Sequence, residues 1–161
     1  MAKEQIVDIT FSEIPDVRVR VINEDDAKEI KETKKKYPFE LHRSIDIFIL
    51  TDVRKFEFTI FNGYTWNGAD IPRILWFSIG SRTDNDFLIA SMIHDYLLEF
   101  KKYMLEEVLE NSISVKEYRR LTSLIFRHIL KEQGINTIKA NIMSWAVQVF
   151  QATVNYKQWQ V

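Results

Sequence analysis

Residues 55–65 read Lys-Phe-Glu-Phe-Thr-Ile-Phe-Asn-Gly-Tyr-Thr. Phe56, Phe58 and Ile60 alternate with Lys55, Glu57 and Thr59, the two-residue period of a strand with one face in a core and one in water. Asn62-Gly63 is a turn or bulge signal inside the same run. Immediately upstream, Ser44–Leu50 (SIDIFIL) forms a second strand, with Thr51-Asp52 as the hairpin turn between the two. Further back, Gln5–Phe11 and Val17–Ile22 are short β-rich runs, and Val17, Val19 and Val21 alternate with Arg18 and Arg20. Pro15-Asp16 between them is turn chemistry. Residues 23–36 are charged in most positions and read as an exposed excursion. It is either a short helix capped by Asn23, with Glu24 and Lys28 paired at i,i+4, or a loop.

Beyond residue 70 the period changes. Pro72 suits the first turn of a short helix from Ile71 to Ile79, ended by Gly80. Thr83-Asp84-Asn85-Asp86 resembles a capping box and is followed by apolar residues at Phe87, Ala90, Ile93, Leu97 and Phe100, a helix that can extend through Leu109. Ser114 and Glu117 form a second capping box, opening a helix that reaches Gln133 and stops at Gly134. Asn136 or Thr137 caps a last helix, with Ile138, Ile142, Trp145, Val149 and Tyr156 along one stripe. The expectation is one α+β domain over residues 1–161: a small antiparallel N-terminal sheet (about 1–65, β-rich), then a bundle of three longer helices and one short one (about 71–157).

Composition narrows function. The chain has 22 Lys and Arg against 23 Asp and Glu, a net charge of −1, so bulk charge gives no strong nucleic-acid signal. It has no cysteine, which excludes disulfide scaffolds, thiol catalysis and cysteine-bound metals. The opening MAKEQIVDITF lacks a signal-peptide core, and no apolar run approaches the ~18 residues of a membrane helix. The expected location is the cytoplasm. Only four glycines occur, widely spaced, so no phosphate-cradling loop is present. Ser78 and Ser81 flank Gly80 without the strand–elbow–helix context of a hydrolase nucleophile. No aspartate follows Asp95, which disfavours a His-Asp metal phosphohydrolase.

Two places can carry chemistry. The loop Trp66-Asn67-Gly68-Ala69-Asp70-Ile71-Pro72-Arg73 leads from the last strand to a helix N-terminus, where unsatisfied N–H groups can receive an anion. Gly68 permits backbone angles that other residues avoid. Asp70 is either part of that site or the cap of the Pro72 helix. The second place is His94-Asp95. Adjacent helical residues diverge by ~100°, so they can address neighbouring parts of one site, with imidazole as general base and carboxylate as metal ligand or orienter. Alternatively His94 is a buried polar residue and Asp95 faces solvent. His42 and His128 read as structural.

The order Gly63-Tyr64-Thr65-Trp66-Asn67-Gly68-Ala69-Asp70-Ile71-Pro72-Arg73, Leu75-Trp76 and His94-Asp95-Tyr96-Leu97 resembles the phage and prophage family of unknown function numbered thirteen-fifty-three. Arg119–Phe126 and Ala140–Phe150 fall in matching order, so the likeness covers roughly residues 40–151. The resemblance places Asn67 at the family's loop aspartate, Asp70 at its loop serine, Leu98 at its second tyrosine and Ser123 at its helix aspartate. A further resemblance is to the His-Asp helix of secreted phospholipases. It implies His94 as base and Asp95 as ligand to Ca²⁺ or another divalent metal, with carbonyl oxygens from Asn67 and Gly68. Asp70 would replace the carboxylate missing at Asn67, while Ser123 cannot replace the orienting one. Those enzymes rely on disulfides, which this chain lacks. The resemblance therefore implies a phage- or prophage-encoded accessory or interaction protein on a hydrolase-like scaffold, with a phage or host protein as partner. The alternatives are a calcium-type ester or amide hydrolase using His94, Asp95 and Asp70, with Asn67, Gly68, Ala69 and Arg73 as its binding loop, and a virion head or tail component.

Overall fold

A computed structural model of the chain describes residues 4–68 and 85–153. The paired runs on either side of Thr51 form the hairpin expected of them. Strand β4 (Ile45–Thr51) and strand β5 (Lys55–Ile60) are antiparallel, with Ile45 opposite Ile60, Ile47 opposite Phe58 and Ile49 opposite Phe56. All six are buried, so one face of the hairpin is a continuous apolar layer. The Thr51 hydroxyl accepts from the N–H groups of Val53 and Arg54 at 3.1 and 2.9 Å and so closes the turn. Strand β1 (Ile6–Phe11) pairs with the other edge of β4 and adds Ile9, opposite Ile49, to the layer.

The single expected sheet is instead two. Strand β2 (Val17–Val19), strand β3 (Phe39–Leu41) and strand β6 (Thr65–Trp66) form a second three-stranded antiparallel sheet in the order β2-β3-β6. The chain changes sheet at Asn62-Gly63. Gly63 has φ +83°, and its N–H donates to the Leu41 carbonyl at 2.7 Å, which bends the chain out of β5 and onto β3. The valine alternation of 17–22 does not mark a buried face. Val17 packs on the core, but Val19 and Val21 are exposed, because β2 is a short edge paired on one side only.

The charged excursion carries helix α1 (Lys28–Lys36), none of whose residues is buried. Asn23 is not its cap. The helix starts after Ala27, and the Asn23 N–H donates to Asp26 Oδ2 at 2.9 Å in a preceding turn, so Glu24 lies outside the helix. Asp26 also pairs with Lys34 at 2.7 Å, which holds its carboxyl below the usual range.

Helix α2 (Asn85–Glu99) is the element both sheets share. The Trp66 indole N–H donates to Ser91 Oγ at 3.1 Å, and the Tyr96 hydroxyl donates to the Thr59 carbonyl at 3.0 Å. The expected continuation to Leu109 is interrupted at Phe100. Short helix α3 (Lys101–Tyr103) runs into a π-helical turn, Met104–Val108, where the Leu109 N–H bonds to the Met104 carbonyl. The wider turn buries Met104, Leu105 and Leu109 together.

Helix α4 (Val115–Glu132) opens on the expected capping box: Ser114 Oγ accepts from the Glu117 N–H, and the Glu117 carboxylate accepts from the Ser114 N–H. It packs on α2, where the Tyr118 hydroxyl donates to the Leu97 carbonyl at 2.6 Å, and it also meets β1. Gly134, at φ +87°, follows its end. Helix α5 (Thr137–Thr153) is capped by Asn136, whose side-chain oxygen accepts from the Lys139 N–H at 2.9 Å.

The stripe expected along α5 faces outward. Ile138, Ile142, Trp145 and Val149 are exposed, while Ala140, Met143, Ser144 and Val147 are buried against the rest of the fold. Small residues let the two helices approach, and the Ser144 hydroxyl donates to the Ser123 carbonyl of α4 at 3.2 Å. Tyr156 and residues 71–79, where a short helix is expected, lie outside the described residues.

Candidate functional site

Two of the expected site residues are adjacent on α2 and point to different surroundings. His94 is 6% exposed, with its ring edge-on to Phe126 of α4 at 5.3 Å between centroids. Its Nδ1 stands 3.6 Å from Asp95 Oδ1, beyond a direct hydrogen bond. The Asp95 side chain keeps 19% of its surface in solvent. The imidazole therefore sits in the α2–α4 interface, and the carboxylate sits at the edge.

Asp95 and Glu99, one helical turn apart, share that edge with Tyr64. The Tyr64 hydroxyl donates to Glu99 Oε2 at 3.2 Å. Burial first, and then the carboxylates of Asp95 and Glu99, push the Tyr64 phenol far above its usual range, so it acts only as a neutral donor. Tyr64 stacks on Trp66 at 6.1 Å and meets Tyr96 edge-on at 5.4 Å, and Tyr96 in turn packs on Phe100 at 4.5 Å. The result is an aromatic wall carrying two carboxylates. Sequence reading missed Tyr64 and Glu99 as site residues, although Glu99 was legible as the i+4 partner of Asp95.

Of the expected binding loop, Asn67 is half-buried and Gly68 is buried with φ +89°, the left-handed conformation that favours glycine. Ala69, Asp70 and Arg73 lie outside the described residues. At the position where the resemblance implied an orienting carboxylate, the Ser123 hydroxyl donates to the Arg119 carbonyl of its own helix at 3.2 Å.

Calcium takes six to eight oxygen ligands, several of them carboxylates. Among the described residues, no group of three or more His, Asp or Glu side chains is placed to hold a metal ion. Asp95 with Glu99, the latter already bonded to Tyr64, does not by itself fit such an ion.

The arrangement defines a class: an α+β protein in which a buried histidine and a rim carboxylate lie side by side on a helix shared by two sheets. Residues 45–147 match the family described as "Protein of unknown function (DUF1353)", and the chain belongs to that family. It is also 29% identical over 103 residues to the uncharacterised protein y4jT of Sinorhizobium fredii (strain NBRC 101917 / NGR234). That match covers 59% of this chain but 26% of the relative, so the chain corresponds to about a quarter of that protein's length. No solved structure matches this chain. Among the described residues, no helix is long and apolar enough to cross a membrane.

Proposed function

We propose that this chain is a phage- or prophage-encoded accessory or interaction protein, built on a hydrolase-like His-Asp scaffold without a full catalytic set. The observation that carries this reading is the outer face of α5. Ile138 is 72% exposed and Trp145 62%, with Ile142 exposed between them. Over Thr137–Thr153 the helix has one ionisable side chain, Lys139. Exposed tryptophan among isoleucines on an uncharged helix face is the composition of a binding hot spot. The setting of His94 agrees, since a general base must reach a proton of water or substrate, and this imidazole is closed in against Phe126. The partner is a phage or host protein met in the bacterial cytoplasm or in the virion.

The test uses the purified chain to capture proteins from its host. Each captured protein is then purified and its affinity measured for wild type, Trp145→Ser and His94→Gln. The expected loss for Trp145→Ser is about tenfold or more, the range of a hot-spot residue, with His94→Gln within about twofold of wild type. Equal affinity in all three, or an enzymatic activity that depends on His94, refutes the reading. A signal for the chain in purified particles by mass spectrometry would place the partner in the virion.

A second reading, a metal-assisted ester or amide hydrolase, draws support from the 3.6 Å approach of Asp95 to His94 and the partial exposure of Asp95. Calorimetric titration with Ca²⁺, Mg²⁺, Mn²⁺ and Zn²⁺ checks it. Stoichiometric binding lost in Asp95→Asn favours it, and no binding to either form removes it.

A further inference from the structure

On the far side of α4 from α2 lies a cleft unrelated to the His-Asp pair and to the outer face of α5. Gln5 and Ile6, at the start of β1, form one wall. Leu124, Arg127, His128 and Lys131 form the other, around a space of about 100 Å³. Arg127 and Lys131 are one helical turn apart and His128 lies beside them, so three nitrogen-bearing side chains line one hollow.

Among the described residues, the two cations of this hollow have no carboxylate partner. Arg127 Nη1 donates to a neutral acceptor, Asn141 Oδ1, at 3.4 Å. Among the described residues, no carboxylate pairs with Arg127 or Lys131. Glu132 approaches His128 Nε2 only to 4.0 Å and is itself 71% exposed. Glu4, next to Gln5 in the chain, is taken by Arg54 at 2.9 Å, Asp52 accepts from the Gln5 N–H at 2.9 Å, and Arg120 is held by the Glu4 carbonyl at 2.8 Å. A chain of net charge −1 thus gathers around one small cleft an imidazole and two cations that pair with no carboxylate among the described residues.

We infer that this cleft binds the terminal phosphate group of a small ligand. A guanidinium fork and an ammonium group match the oxygens and the double charge of a phosphate monoester, and charge-assisted bonds of this kind are the strong ones. Ile6 and Leu124 add an apolar lining, which weakens the solvent screening of those bonds. The size selects the ligand as well. The space accommodates one phosphate group, and a nucleic-acid strand needs an extended basic track that a single turn of α4 does not supply.

The experiment is titration of the full chain with inorganic phosphate in low-salt buffer, followed by calorimetry and by amide chemical shifts. Wild type is compared with Arg127→Gln, Lys131→Gln and Lys116→Gln. Lys116 is exposed on the first turn of the same helix, outside the cleft, and serves as the control. Saturable one-to-one binding is expected, weakened about tenfold by Arg127→Gln and roughly three- to tenfold by Lys131→Gln, and unchanged by Lys116→Gln. Thermal melting of each variant separates lost binding from lost folding. Phenyl phosphate binding at least as tightly as inorganic phosphate supports a small monoester. A short single-stranded oligonucleotide that binds tighter than phenyl phosphate, and is weakened by the same variants, overturns the ligand class. No saturation by about 10 mM phosphate, or equal weakening by Lys116→Gln, overturns the site.

Discussion

The orientation of α5 decides which face of this protein is available to a partner, and three substitutions along it test that orientation. Met143 is completely buried against α4, whereas Ile138 is 72% exposed. Replacing a buried methionine by alanine removes its transfer energy and leaves a cavity, so Met143→Ala should cost about 2–5 kcal/mol. Ile138→Ala removes surface that water already covers and gains a few tenths of a kcal/mol of helix propensity, so it should stay within about 0.5 kcal/mol of wild type. Ala140 is fully buried where the two helices run close, and Ala140→Leu should cost about 1–3 kcal/mol through overpacking. Urea denaturation reads all three. With a slope of about 1–3 kcal/mol/M, Met143→Ala should lower the midpoint by roughly 1 M or more and leave the slope unchanged. If Ile138→Ala destabilises as much as Met143→Ala while Ala140→Leu is silent, the helix is turned the other way. The exposed Ile138–Ile142–Trp145 face, and the proposed function with it, would then be lost.

Three further substitutions test local geometry. Ser114→Ala removes the Oγ acceptor of the α4 capping box, while the backbone N–H of residue 114 still donates to the Glu117 carboxylate, and should cost about 0.5–2 kcal/mol by denaturation. The same change should alter the acid limb of the stability curve. Hydrogen bonds from the backbone and side chain of Ser114 hold the Glu117 carboxyl below its ordinary value of 4.5, so its contribution is complete above that value and lost as pH falls through the lowered one. Ser114→Ala deletes only the side-chain bond, so stability measured from pH 6 down to about pH 2 should fall somewhat less steeply than in wild type over the lower part of that range, the backbone bond keeping the rest of the effect. Trp66→Phe keeps the aromatic wall but deletes the indole donor to Ser91, and a melting curve should show a loss of about 1–3 kcal/mol. Gly63→Ala meets no atom within 4 Å, so its cost is backbone strain alone at φ +83°, about 1 kcal/mol, and a larger loss would mean that the switch between sheets had failed.

How far the sequence discloses this fold depends on what each element buries. The β4–β5 alternation was legible because every inward residue meets another apolar residue across the ladder. Strand β3 was not, since three residues following a charged run are too few to show a period. The Asn62-Gly63 signal was visible, but its consequence, a change of sheet, depends on the carbonyl of Leu41, some twenty positions back. On α2 the apolar stripe was real but incomplete. Packed by both sheets and by α4, the helix buries Ser91 and His94 along with its hydrophobic residues, so periodicity understates its burial. On α5 the rule inverted. Ala140, Ser144 and Ala146 score as weakly apolar, yet they share the buried face with Met143 and Val147, while Ile138, Ile142 and Trp145 stay outside.

The candidate site follows from the same physics. The helical divergence of ~100° between neighbours sends His94 into the α4 interface and Asp95 to the rim, where Tyr64 and Glu99 wait. Residues that sit side by side in the motif therefore answer to different constraints. His94 is held by packing, so its replacement registers first as lost stability. Asp95 belongs to a partly solvated acidic edge, and Asp95→Asn keeps its size while removing its charge, so its melting is measured beside its function. An activity or a metal at this helix would be lost in Asp95→Asn beyond any change in melting, whereas a purely structural pair would lose only stability. The two substitutions made separately, with melting and ligand binding measured on each, divide a working site from a retained scaffold in a way that the double change cannot.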